Sequence, residues 1–201
     1  LMAILIDSGT PASDKNFWAT TWECFADAQA LYGRRFECDV AAEPLTAKCS
    51  RYFTSHLLLD KLLDYRTLED VRAQIREAEQ AGTICMGIDS LNLDWPEHWW
   101  CNPPFDLKPE FITQARQQQA NGRPGMMLLP YEPLTTWWRR LLAEDVIVYE
   151  PDGRYQFYER DGATRKSGAN FGCALIAFPT MKVGASPRIP FVRGIGSKRA
   201  A

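Results

Sequence analysis

His98-Trp99-Trp100-Cys101-Asn102-Pro103-Pro104-Phe105 is the stretch on which the reading of the fold turns. A short aromatic and apolar run ends in a polar side chain, and two prolines follow at once. Proline fixes its own φ and lacks a backbone N–H. It also pushes the residue before it out of the helical region. Asn102-Pro103-Pro104 is therefore stiff and extended, and it ends whatever precedes it. Trp99–Cys101 reads as a strand that presents Asn102 at its carboxyl end, with Phe105 as a flat wall beside it. Taken alone, Pro-Pro after a strand is equally a plain terminator, so the rest of the chain decides.

The same pattern recurs on both sides. Residues 35–40 form a strand candidate with Asp39 near its end, and residues 83–88 form another that runs into Asp89. Residues 125–129 are an unbroken apolar run, as a buried parallel strand requires. Residues 146–149, 155–158 and 173–178 are further strand candidates. Helical stretches lie between them. Thr20 and Glu23 fit a capping box with Thr20 as N-cap, opening a helix that runs to about Leu31 and stops at Gly33. Thr67-Leu68-Glu69-Asp70 opens a second, with Leu68, Val71, Ile75 and Ala78 on one face and Gly82 at its close. Residues 110–120 and 133–143 read as helices, and residues 46–52 as a short one. Alternating strands and helices predict an α/β fold, with a mostly parallel sheet and helices on both faces. In such sheets ligands bind beyond the carboxyl ends of the strands, where Asp39, Asp89 and Asn102 all fall.

At 201 residues the chain is long enough for one domain with a proper core. Its expected division is a loose leader over 1–16, a body over 17–180 with an inserted helical segment at 56–82, and a basic tail over 181–201. No apolar run approaches the ~20 residues that span a membrane, and residues 1–6 are too short an apolar run for a secretory signal. The six cysteines are scattered without a Cys-x-x-Cys pair, which reads as free thiols in a reducing cytoplasm. His56 and His98 have no metal-ligand spacing, so no metal is expected, and His98 reads as a packed strand residue. Dinucleotide, nucleotide-triphosphate and hydrolase motifs are absent. Net charge is −2 but unevenly spread. Residues 154–201 carry nine Lys and Arg against two acids, while residues 1–153 carry fourteen against twenty-three. A basic end is a footprint for phosphate, although Lys198-Arg199 alone reads as a solvated tail.

In this order the motifs resemble those of the phage-type DNA N6-adenine methyltransferases, the Dam family of phages and prophages. The resemblance runs from about Phe17 to Phe178. The family's Trp-x-Thr-Pro-x-x-x-Phe stretch is matched by Trp18-Ala19-Thr20-Thr21-Trp22-Glu23-Cys24-Phe25, with Thr21 where the family usually has Pro. Asp39-Val40-Ala41-Ala42, Ala47-Lys48-Cys49 and Tyr52-Phe53-Thr54 follow, then Asp89-Ser90-Leu91 and Asp94-Trp95 shortly before Asn102-Pro103-Pro104-Phe105. Leu128-Leu129-Pro130, Thr136-Trp137-Trp138 and Gly153-Arg154-Tyr155-Gln156-Phe157 complete the series. No glycine-rich cofactor loop is visible.

The resemblance implies a Rossmann-like, S-adenosylmethionine-dependent methyltransferase. It would modify adenine N6 in duplex DNA at a specific site, in the cytoplasm of a bacterial host and in the manner of restriction-modification enzymes. Asn102 and the Pro103 carbonyl would accept hydrogen bonds from the target amino group, Pro104 would stiffen the turn, and Phe105 would stack on the base, worth roughly 1–3 kcal/mol. Trp18, Thr20, Asp39, Ala41 and Asp89 would hold S-adenosylmethionine. Arg154, Arg165 and Lys166 would meet DNA phosphates. The same Asn-Pro-Pro-aromatic pocket would also serve a methyltransferase acting on RNA or on a protein glutamine amide. A catalytically silent DNA-binding module of the same fold is the third alternative.

Overall fold

The computed structural model describes residues 15–54, 67–166 and 171–198. The expected leader, apart from its last two residues, and residues 56–66 of the expected insertion lie outside them. The strands are β1 (Ala19–Thr20), β2 (Cys38–Asp39), β3 (Arg51–Thr54), β4 (Ile84–Ile88), β5 (Trp99–Cys101) and β6 (Gly125–Pro130). They continue as β7 (Ile147–Pro151), β8 (Phe157–Tyr158), β9 (Arg165–Lys166), β10 (Cys173–Phe178) and β11 (Arg188–Phe191). The helices are α1 (Trp22–Tyr32), α2 (Leu68–Gln80), α3 (Lys108–Ala120), α4 (Thr136–Leu141) and α5 (Ile195–Lys198).

Eight strands form one sheet in the order β11-β7-β10-β6-β5-β2-β3-β4, and β1-β8-β9 form a second, smaller one. From β6 to β4 the neighbours are all parallel. β10 then runs antiparallel between β6 and β7, and β11 pairs parallel with β7. The large sheet is therefore mixed. An apolar run such as Cys173–Phe178 is buried on both faces in either direction, so its residues carry no mark of its orientation.

Both faces are covered. Trp99 enters one core cluster with Phe111, Ile112 and Ala115 of α3 and Trp138 of α4. Its neighbour Trp100 enters the other, with Cys24, Phe25 and Ala28 of α1. Successive strand residues point to opposite faces, so one Trp pair welds both layers to the middle of the sheet. Gly125 makes room for this: a Cβ there would stand 2.0 Å from Trp99 Cδ2.

Three local expectations change. Thr20 is paired in β1 with Phe157, which holds it extended; the N-cap of α1 is Thr21, without a side-chain bond. The short helix expected over 46–52 is a single 3-10 turn, Pro44–Thr46, followed by β3, because Arg51 and Tyr52 pair with Ile84 and Cys85. The C-terminal stretch is not a tail as far as Lys198. β11 extends the sheet and α5 packs on α1. Asp27 of α1, fully buried, anchors that end by accepting from Tyr155 Oη at 2.7 Å and from the Gly194 and Gly196 amides at 2.8 Å each. The helix expected to open at Thr67 does so through a capping box, with Asp70 as its reciprocal partner.

Candidate active site

A small cleft, open at its mouth, lies at the carboxyl ends of β2 and β5. Its floor and walls come from three segments: residues 16–20, the turn from Asp39 to Lys48, and Asn102 with Pro104. The first segment is docked onto the third from both sides. Asn102 Nδ2 donates to the Trp18 carbonyl at 2.9 Å. A carbonyl can only accept, so the amide is oriented with its nitrogen on Trp18, and Oδ1 is left as an acceptor. Asn16 Nδ2 donates to Asp106 Oδ2 at 2.9 Å, and the Asp106 amide donates back to Asn16 Oδ1 at 3.1 Å.

Trp18, Thr20, Asp39, Ala41, Asn102 and Pro104 thus line one cleft. Phe105 and Pro103 do not. Pro103 is buried, and Phe105 packs edge-on against Trp18 and Phe171, with centroids 6.0 and 5.0 Å apart. Phe171 in turn stacks on Trp18 at 6.1 Å and 6°. An aromatic cluster therefore backs the Trp18 wall.

Asp39 is 4% exposed and accepts from the Lys48 amide at 3.0 Å and the Ala41 amide at 3.3 Å. Burial pushes its carboxyl up to about 6 against the opposing pull of those amides. The Lys48 side chain returns to the cleft. Its Nζ donates to the Thr46 carbonyl at 3.1 Å and lies 4.5 Å from the Trp22 ring centre. Burial lowers the pKa of this ammonium. Glu43 and Thr46 line the same wall, and Glu43 pairs with Arg160 at 3.5 Å.

Asp89 stands apart from this cleft, at the carboxyl end of β4. It takes the left-handed conformation, φ 72°, which Asp tolerates better than most residues. Its Oδ2 accepts from Asn92, but Oδ1 has no partner among the described residues. Two neighbours share that condition: Thr54 Oγ1 at the end of β3 and Ser90 Oγ. The Asp89 amide donates to the Thr54 carbonyl at 2.8 Å, which places the group across adjacent strand ends. Three buried polar atoms left unpaired together call for a reason, since such atoms are nearly always satisfied.

The basic residues are less concentrated in space than in sequence. Arg165 pairs with Glu23 at 2.5 Å and donates to Gln156, while Lys166 reaches Glu159 at 3.7 Å and lies 5.9 Å from the Trp18 ring. Arg188 and Arg193 pair with Glu150 and Asp152. Arg154 is exposed and, with Arg165 and Arg193, borders a separate surface cleft. His98 is packed beside Tyr32, whose hydroxyl is 2.9 Å from Nδ1, and it does not line the active-site cleft. Among the described residues no group of His, Cys, Asp and Glu is placed to hold a metal, and no helix is long and apolar enough to cross a membrane. All six cysteines are free.

Asn16, Glu43, Lys48 and Phe171 are the site residues that sequence reading passed over. Only Lys48 carried a signal, as the centre of Ala47-Lys48-Cys49.

The structure thus combines a mixed α/β sheet with a polar cleft at the carboxyl ends of its parallel strands, and Asn-Pro-Pro-Phe lies on that edge. The sequence model described as DNA N-6-adenine-methyltransferase (Dam) matches residues 69–193. The chain belongs to that family. It is also similar to a DNA N-6-adenine-methyltransferase of Haemophilus phage HP1 (strain HP1c1), at 23% identity over 178 residues, covering 87% of this chain and 85% of the relative.

Proposed function

We propose that the protein transfers a methyl group from S-adenosylmethionine to N6 of an adenine flipped out of duplex DNA. The observation that carries this reading is the 2.9 Å bond from Asn102 to the Trp18 carbonyl. It orients the one side chain suited to accept from an exocyclic amine, and it does so within the cleft that also holds Asp39 and Lys48. The run of parallel strands from β6 to β4, with its polar residues at the carboxyl ends, supports a Rossmann-like reading of the sheet.

The residues fit the methyl donor. Its amino-acid end carries both charges, and the cleft offers carboxylates at Asp39 and Glu43 and an ammonium at Lys48. Its nucleoside end needs hydrogen-bonding partners, and Thr54, Asp89 and Ser90 have buried polar atoms without any. When bound, S-adenosylmethionine supplies an electrophilic methyl group on a sulfonium.

The chain's own residues would do the rest. The lone pair of the adenine amino group is delocalised into the ring, which makes it a poor nucleophile. Asn102 Oδ1 and the Pro103 carbonyl, accepting from its two N–H bonds, would hold the nitrogen and raise its electron density. Pro103 and Pro104 bring no amide hydrogens to compete for those acceptors. Trp18, which lines the cleft with Phe105 and Phe171 packed against it, would offer an aromatic surface against which a base can rest. Extruding the base costs a few kcal/mol, roughly. No general base is required before attack, because the amine sheds its proton after the methyl arrives. Positioning then supplies much of the rate.

The test is transfer of labelled methyl from S-adenosylmethionine to duplex DNA, with the label located by nucleoside analysis. Label at N6 of adenine is expected, and label only in protein or RNA would refute the proposal. Asn102→Ala is expected to lower turnover by about 100-fold or more. Thermal stabilisation by S-adenosylmethionine should persist in that variant.

A further inference from the structure

We propose that Lys48 binds the carboxylate of the methyl donor's amino-acid end and so selects donors that carry it; this rests on the function proposed above.

Lys48 is unusual for a lysine in being 8% exposed. A buried ammonium is costly unless it is paired. Among the described residues its hydrogen-bond acceptor is the Thr46 carbonyl at 3.1 Å. No carboxylate lies within ion-pair distance of its Nζ among the described residues. Asp39, in the same cleft, bonds instead to the backbone amides of Ala41 and Lys48. An ammonium has three N–H donors, so Lys48 retains capacity for a further acceptor.

The side chain is also held in place. Trp22 lies 4.5 Å and Tyr158 5.7 Å from Nζ, so aromatic faces steady the charge on the protein side. Its own amide is tied to Asp39. The ammonium is thus a fixed cation in the wall of a cleft whose remaining charged side chains, Asp39 and Glu43, are acidic. One cation and two carboxylates in one wall match a ligand with an α-ammonium and an α-carboxylate. A DNA phosphate is the other anion available to this enzyme. The backbone of a duplex stays on the surface, however, whereas an 8% exposed ammonium is met only by a ligand that enters the cleft.

The experiment compares S-adenosylmethionine with its decarboxylated form, by calorimetry, in the wild type, Lys48→Met and Lys48→Arg. The wild type should bind the intact donor about 10- to 100-fold more tightly, the range for a charge-assisted hydrogen bond. Lys48→Met should lose that preference by weakening the intact donor alone, and Lys48→Arg should keep most of it. Equal binding of both ligands by the wild type overturns the assignment, even if Lys48→Met does not fold. Equal weakening of both ligands in a folded Lys48→Met also overturns it and marks the residue as structural. A variant with ligand preference intact but weaker duplex binding overturns it in favour of a phosphate contact. Wild type that binds neither donor refutes the proposed function itself.

Discussion

Asp27 gives the most direct test of how this molecule is held closed. Its carboxylate is fully buried and receives three donors from the far end of the chain: Tyr155 Oη and the Gly194 amide on Oδ2, and the Gly196 amide on Oδ1. Asp27→Asn keeps the shape but turns one oxygen into a donor. Whichever way the amide is placed, at least one half-buried backbone N–H, of Gly194 or Gly196, then faces N–H₂. An unsatisfied buried donor costs about 1–3 kcal/mol, and bonds to a charged acceptor are worth about 1.5–3 kcal/mol. The two figures describe overlapping parts of one loss, and about 2–4 kcal/mol is expected in total. For a chain of this size each kcal/mol moves Tm by about 2–4 °C. Thermal melting without ligand should show a fall of roughly 5–15 °C. Tyr155→Phe removes one donor and leaves the carboxylate two others, so about 1 kcal/mol is expected, and the double variant should be less than additive. A Tm for Asp27→Asn within about 1 °C of wild type would refute the reasoning, because the C-terminal closure would then not depend on this carboxylate.

Two further outcomes follow from burial and packing. The Asp39 carboxyl is pushed up to about 6 in the folded chain, chiefly by burial, against about 3.9 unfolded. The folded state then binds its proton more tightly, so this contribution is present below about pH 4 and is lost as pH rises through about 6. It amounts to about 3 kcal/mol, and denaturant titrations of wild type against Asp39→Asn should diverge by that amount across the window; a constant difference would count against it. Gly125→Ala would place a Cβ 2.0 Å from Cδ2 and 2.3 Å from Cε2 of the fully buried Trp99. A loss of about 3 kcal/mol or insoluble expression is expected, and an unchanged melting curve would contradict the packing described.

What the sequence revealed depended on how local the cause was. Trp99–Cys101 and Cys173–Phe178 were legible to the residue because apolar runs and prolines mark their own ends. β8 lies within the strand expected over 155–158, whereas β1 and β9 are two residues each, too short for any periodicity, and exist only because Thr20 and Lys166 both meet Phe157. β11 contains Pro190 and is mostly exposed, so only its pairing with β7 makes it a strand. At the site, Trp18, Thr20, Asp39, Ala41 and Asn102 do converge, since strand ends gather at one edge. The segregated basic charge did not carry over into space, because Glu23, Glu43, Glu150 and Asp152 come from elsewhere in the chain to meet it. Asn16 was hidden in a segment with no pattern of its own, and its partner Asp106 lies 90 positions away.

The docking of Trp18 onto Asn102 sets a timetable for the ribosome's product. The two residues are 84 positions apart, and Asp27 and Gly196 are 169 apart. At about 5–20 residues per second, the Trp18 wall waits several seconds for its partner, and α1 waits longer still for the amides that close over it. Phe17 and Trp18 are without that shelter meanwhile, which makes the nascent N-terminal segment a natural client for chaperones. Residues 69–193, which carry the family pattern, lack Trp18, Asp39 and Lys48, so much of the cleft wall is drawn from outside them.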